Sequence, residues 1–194
     1  MIDEDNAPGW DAIHLAVTRI VGQQEPLHWG TGTLPGQDGV YGISAYRAGG
    51  HWLLVTFGLT DLFDTTEDED TDVSGWGYEL TLRVPAAGDP PAWSLRLLEQ
   101  LGRYVYRGSK SIRAGHRLDL GGPITGKPDT RLTALAFTED PQLSQISSPN
   151  GSVSFIAVVG ITAAELAQMK TSSTEAVVAD LRNRSTLLVT DVGR

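Results

Sequence analysis

The 194-residue sequence contains no cysteine. That excludes a disulfide framework, a thiolate metal site and a cysteine nucleophile. Long apolar runs are also missing. The longest, FIAVVGI, is strand-sized, whereas a membrane-spanning helix needs about 20 residues. The opening MIDEDNAPGW has neither a basic n-region nor an apolar h-region, so no signal peptide is expected and the expected location is cytoplasmic. Asn150-Gly151-Ser152 then reads as a turn and not as a glycosylation site. Positive charge is scarce: 15 Lys and Arg face 24 Asp and Glu, a net charge of −9. Such a field disfavours nucleic acid and anionic membranes as partners. No Lys or Arg lies between Arg47 and Arg83. That interval holds Asp61, Asp64, Asp72 and Glu79, with the dense run Glu67, Asp68, Glu69 and Asp70. Residues 61–73 therefore read as an acidic loop.

What is present suits one domain over residues 1–194, with 1–7 flexible. Pro8 precedes Trp10, Ile13, Val17 and Ile20 at helical spacing, and Gly22 offers a stop, which predicts a helix over 9–21. LHWGTGTLPGQDG reads as loop. VYGISAYR and WLLVTFGL read as strands joined by a hairpin at AGGH. In SGWGYELTLRV, Tyr78, Leu80 and Leu82 alternate with Glu79, Thr81 and Arg83. That predicts a half-buried strand with the Tyr-Leu row inward and the Glu-Thr-Arg row outward, Glu79 and Arg83 facing solvent or a helix. Trp76 is expected to be structural. Gly75 and Gly77 are expected to let the strand leave the acidic loop steeply. Trp93, Leu97, Leu101 and Tyr104 share one face of a helix over 93–106. HRLDL and RLTALAF read as short strands. Val153, Phe155, Ala157 and Val159 alternate after a tip at Pro149-Asn150-Gly151. Thr162 with Glu165 spells a capping box opening a helical stretch over 162–183, broken in two, and TLLVT closes the chain as a strand. The fold class is α+β: a mixed β-sheet flanked by helices.

Motifs for chemistry fail on inspection. GGPITGKP, Gly121 to Pro128, approaches a phosphate loop, but Pro128 stands where a Ser or Thr hydroxyl should hold magnesium. It reads as a lysine-tipped loop. His14, His28, His51 and His116 show no i, i+4 pairing, so a zinc site would have to assemble from scattered positions. TTEDEDTD lacks the glycine and closing glutamate of a calcium loop. No nucleophile elbow occurs, and no carboxylate pair stands out for acid–base work. No cofactor and no metal are expected. Binding is left as the function class, with an enzyme or ligand-binding domain carrying an unrecognised site as the alternative.

GWGYELTLR is similar to the motif of the Suppressor of fused family. PGWDAI, WLLVTFGLTDLF, PAWSLRLLEQLGRYVY, FTEDPQL, SPNGSVSFIAVVGIT and LLVTDV resemble further family blocks in the family's order. The resemblance covers roughly Pro8 to Val192. It implies the family's amino-terminal domain and a non-enzymatic protein-binding role, which in animals restrains Hedgehog signalling by holding Gli-type transcription factors. The family's Gli contacts imply a role for Tyr104 and for the residue after Gly115. That residue is His116 here, where the family carries an acid, so a Gli-type partner is not expected. The chain looks like the short single-domain bacterial members. For those, the resemblance implies an immunity role against secreted toxins, with a basic toxin domain as partner. The candidate partner-binding residues are therefore Tyr104 and His116, with Glu67, Asp68, Glu69 and Asp70 of the acidic loop. The oligomeric state is left open.

Overall fold

The computed structural model describes residues 6–34, 37–63 and 72–194. Residues 1–5 and the acidic cluster Glu67–Asp70 lie outside the described residues. Helix α1 (Pro8–Val21) starts with Pro8 in its first turn and stops at Gly22, whose φ of 86° places it in glycine's range. The strands are β1 (Leu27–Gly30), β2 (Gly42–Ala48), β3 (His51–Phe57), β4 (Val73–Pro85), β5 (Arg117–Asp119), β6 (Leu132–Glu139), β7 (Ile146–Ser148) and β8 (Gly151–Thr162). Between them fall α2 (Ala92–Gly108), α3 (Ala163–Thr171) and α4 (Thr174–Arg184). The stretch expected over 162–183 is broken in two, and Thr162 and Glu165 make both bonds of the capping box.

Among the described residues all eight strands join one mixed sheet, ordered β1-β2-β3-β4-β8-β6-β5, with β7 pairing β8. The β4–β8 pairing is parallel; the other pairings are antiparallel. This is the expected α+β architecture. On one face, Leu97, Leu98 and Leu101 of α2 pack on Leu54, Leu80, Leu82 and Val158. The other face carries two apolar clusters. Ile13 and Val17 of α1 meet Leu53, Val55 and Phe155. Leu166 and Met169 of α3 join Val177 and Leu181 of α4 over Ala136 and Val159.

Two local expectations fail. LHWG forms edge strand β1, paired with β2 from Leu27↔Ala45 to Gly30↔Gly42. Its glycine-rich flanks hide a strand too short to show alternation. TLLVT is not a strand: Leu188 has φ 55°, and its N–H donates to the Ser185 carbonyl in a turn. Thr190 still braces the sheet, donating its N–H to the Arg83 carbonyl and accepting the Gly160 N–H on its hydroxyl.

The larger correction concerns the Glu-Thr-Arg row. Alternation along β4 holds, but the row does not face solvent: Glu79 and Thr81 are 0% exposed and Arg83 2%. The sheet is covered on both faces, and β4 lies between the α1 cluster and the α3–α4 cluster, contributing no apolar side chain to either. A polar seam fills the gap. Arg83 donates to both carboxylate oxygens of Asp140, at 2.5 and 3.0 Å, and Thr81 donates to the same carboxylate at 2.6 Å. The N–H groups of Gln142 and Leu143 complete the shell of Asp140. Burial opposes its ionisation, but Arg83 holds its carboxyl below the usual range. Glu79 accepts four hydrogen bonds besides: from the hydroxyls of Thr56 and Thr60 and the N–H groups of Gly58 and Thr60. Burial pushes its carboxyl up to about 7 even against those donors.

The β4 entry behaves as its glycines suggest. Gly75 and Gly77 have φ of 50° and 83°, and the register with β8 shifts between Val73 and Tyr78. A Cβ on Gly75 would stand 2.7 Å from the Leu59 carbonyl. Trp76 packs edge-on against Tyr106, 5.9 Å between rings, in a structural role.

Two outcomes follow. Leu80→Ala or Leu97→Ala should lose about 2–5 kcal/mol in denaturant unfolding, because each leaves a cavity under α2; a loss under about 0.5 kcal/mol would contradict this packing. The Glu79 carboxyl has a folded value of about 7 against an ordinary 4.5. Its contribution is therefore complete below 4.5 and is lost as pH rises to about 7. His28 and His51, held below their ordinary value by burial, act in the opposite sense. Subtracting Glu79→Gln from wild type cancels them. The difference should fall by up to about 3 kcal/mol across that window, and a flat difference would refute it.

Candidate functional site

The best-placed candidate site builds from the end of α2 and the loop after it. The amphipathic pattern of α2 buries Leu98, Leu101 and Val105 and leaves Tyr104 40% exposed. Ser109 ends the helix in the left-handed region, with φ 44°. The loop then crosses the sheet, held by the Ile112 N–H donating to the Tyr78 hydroxyl at 2.9 Å. Gly115, at φ 87°, allows the approach of Glu175, whose Oε1 would lie 2.5 Å from a Cβ there. Its N–H donates to the Phe137 carbonyl, which aligns the chain for β5.

Tyr104 and His116 come together. Both line a 340 Å³ cavity floored by Ile112, Leu118 and Phe137. The His116 Nδ1 accepts the Arg113 N–H. A larger cavity of 700 Å³, lined by Trp76, Tyr78 and Gln142 among others, shares Ser111 and Ile112 with it. The two adjoin as a groove beside β5, the last strand in the sheet order, which among the described residues pairs only with β6. An outer edge carries backbone N–H and C=O groups that an extended segment can pair with.

The other candidates are elsewhere. Glu67, Asp68, Glu69 and Asp70 lie outside the described residues, but the ends of their loop are tied together. Ser74 Oγ accepts the Asp61 N–H, Asp61 Oδ2 accepts the Gly75 N–H, and Asn150 Nδ2 donates to the Asp61 and Phe63 carbonyls. Arg113 and Arg117 line the groove together with Glu139 and Asp140, the last already paired with Arg83. Basic residues recur along the sequence from Arg96 to Arg117. Residue types alone do not reveal that β5 is an edge. GGPITGKP lies elsewhere too, against Trp93 and Leu97 of α2, with the Thr125 hydroxyl turned onto the Asp129 carboxylate and the Lys127 carbonyl. Among the described residues no group of three His, Asp or Glu is placed to hold a metal ion, and no helix is long and apolar enough to cross a membrane.

The family model for Suppressor of fused protein (SUFU) matches residues 36–194. The Suppressor of fused homologue of Homo sapiens is 32% identical over 167 residues, covering 78% of this chain and 32% of that protein. The Mus musculus homologue matches at the same values, 32% over 167 residues, with 78% and 32% covered. The chain thus spans about a third of the length of these curated relatives. Among solved structures, that of the Sufu–Fu complex has a TM-score of 0.86 at 28% identity, covering 97% of this chain and 91% of that one. Drosophila Suppressor of Fused gives 0.86 at 29%, covering 100% and 52%. A SUFU homologue from Neisseria gonorrhoeae gives 0.65 at 13%, covering 96% and 94%, a likeness of fold alone.

The Tyr78 hydroxyl is the tie between sheet and groove loop. Tyr78→Phe should leave the Ile112 N–H without its acceptor, cost about 1–3 kcal/mol, and speed hydrogen exchange at the Ile112 amide more than at Leu80. Equal protection in the variant would show that the loop is held otherwise.

Proposed function

The chain belongs to the Suppressor of fused family, and we propose that it works as a non-enzymatic protein-binding module using the groove at Tyr104 and His116. One observation carries the reading: the two residues share a cavity beside the free edge of β5. An extended partner segment would add to β5 through its backbone and seat side chains against Tyr104 and His116. With His116 in place of the family's acid, and Arg113 and Arg117 at the groove, a partner segment bearing a carboxylate is the expected fit. One solved relative is in complex with Fu, so partner binding has a precedent in that protein.

The finer form of the proposal is immunity: a bacterial, cytoplasmic protein neutralising a basic toxin domain. Its support is the net charge of −9 and the acidic run from Asp61 to Asp72, which holds no Lys or Arg. Such a charge attracts a basic partner in a salt-dependent manner, since screening acts over about 8 Å at physiological ionic strength.

Affinity capture from the native lysate, with Tyr104→Ala beside wild type, tests the module. A partner recovered with wild type and lost with Tyr104→Ala, at unchanged melting temperature, is the expected result. Equal recovery would remove the groove from the binding surface. Neutralising Glu67, Asp68, Glu69 and Asp70 together should slow association with that partner more than it speeds dissociation, and flatten its salt dependence. An unchanged rate and salt slope would leave the acidic loop as a solvated face.

A further inference from the structure

The β3–β4 ladder runs from His51↔Pro85 to Val55↔Thr81 and stops there. Beyond it the Glu79 carboxylate acts as the acceptor. Its Oε1 takes the Gly58 N–H at 2.9 Å, the Thr60 N–H at 3.0 Å and the Thr60 hydroxyl at 2.7 Å, and its Oε2 takes the Thr56 hydroxyl alone. Among the described residues no Lys, Arg or His pairs with it. Arg83, in the same row of β4, is committed to Asp140. The elements packed around it bring no free cation. β8 sets Phe155 opposite it. α1 turns Trp10 onto Phe57, and His14 of α1 is hydrogen-bonded to Tyr46. β3 carries His51 at its far end. The ionisable groups that feel the Glu79 charge are acids, Tyr78 of β4 and Tyr106 of α2, and Tyr106 also feels Asp61.

The turn that Glu79 holds is joined to the groove. The Gly58 carbonyl accepts the Tyr106 hydroxyl at 2.6 Å, and the Leu59 carbonyl accepts the Trp76 N–H at 2.8 Å. Tyr106 and Trp76 meet edge to face, and Trp76 lines the 700 Å³ cavity. Three consecutive residues, Gly58 to Thr60, thus tie Glu79 to α2 and to the groove wall.

The donor count decides what a proton does here. An ionised carboxylate can accept all four donors, and bonds to a charged acceptor are about twice as strong as neutral ones. A proton fits on Oε2, the oxygen with one donor. The Thr56 hydroxyl accepts the Leu80 N–H at 2.8 Å and lies 3.4 Å from the Leu80 carbonyl, so it can turn to that carbonyl and accept the new O–H. Oε1 is then a neutral carbonyl oxygen, with two lone pairs for three donors. One donor of the Gly58–Thr60 turn loses its acceptor.

We propose that Glu79 is a proton-sensitive latch on the groove: ionised, it clamps the Gly58–Thr60 turn and with it Tyr106 and Trp76; protonated, it lets that turn and the Trp76 wall loosen. Burial, which pushes the carboxyl up to about 7 against its four donors, puts the change in the neutral range. Protonation relieves the cost of a buried charge for the whole fold and slackens this one turn. Regulation of a partner rests on the groove being the binding surface proposed above: its hold on the partner weakens as pH falls through neutrality.

Nuclear magnetic resonance of the free full chain, titrated through neutral pH, tests the latch without a partner. The Glu79 carboxyl, the Gly58 and Thr60 amides and the Trp76 indole should share one midpoint of about 7. Hydrogen-exchange protection of the two amides should fall at least about tenfold below that midpoint. In Glu79→Gln the Gly58, Thr60 and Trp76 responses should be flat. Thr60→Val keeps both N–H ties and removes one hydroxyl donor, a bond that favours the charged form, so the shared midpoint should rise. A Trp76 response that persists in Glu79→Gln, a midpoint unmoved in Thr60→Val, or protection independent of pH would overturn the latch. A flat titration with the partner still lost in Tyr104→Ala fails the latch alone. A coupled titration with the partner retained in Tyr104→Ala fails the groove as the binding surface and leaves the latch in place.

Discussion

Arg83 and Asp140 meet in the middle of the molecule, with side chains 1% and 0% exposed, and the sheet is arranged around them. A guanidinium and a carboxylate taken from water need each other at full hydrogen-bonding geometry, because either one alone would be an uncompensated buried charge. The pair can be bidentate only if β4 presents Arg83 on the face away from α2, and if β6 ends in time for Asp140 to turn back over that face. Asp140 in turn orders the chain after it through the N–H groups of Gln142 and Leu143, and Leu143 belongs to the α1 cluster. One ion pair thus fixes the register of the central strand, the end of β6 and a wall of the core.

That pair also explains where reading the sequence succeeded and where it did not. Strong local signals came through: Pro8 and Gly22 around α1, Thr162 with Glu165 opening α3, the apolar face of α2, and the tip at Pro149-Asn150. Each is decided within a few residues of the chain. The burial of Glu79, Thr81 and Arg83 was not legible, because polar residues at every second position of a strand look the same whether water or a second helical layer lies over them. What distinguishes the cases is Asp140, Thr56 and Thr60, distant in sequence. TLLVT misled for a related reason: its composition favours a strand, but the left-handed Leu188 and the Ser185 turn give its hydrogen bonds to β4 and β8 one residue at a time.

The candidate site divides along the same line. Tyr104 and His116 were singled out by resemblance, and tertiary structure brings them to one cavity. Nothing in the residues announces that β5 is the sheet's end.

The single parallel pairing has a kinetic meaning. On one side of it, β1 to β4 run as consecutive antiparallel neighbours; on the other, β5 to β8 join through antiparallel pairs of their own. Each half holds one hairpin with a two-residue turn, β2–β3 across Gly49-Gly50 and β7–β8 across Pro149-Asn150. The joint between them, Tyr78↔Ser154 through Leu82↔Val158, closes a loop that includes α2, β5, β6 and β7. The chain entropy of that closure falls on one strand pair, and local contacts cannot offset it beforehand. Docking of β8 against β4 is accordingly the expected barrier to folding, a hypothesis that high φ-values at Leu80 and Val158, with low ones at Ile43 and Leu118, would bear on directly.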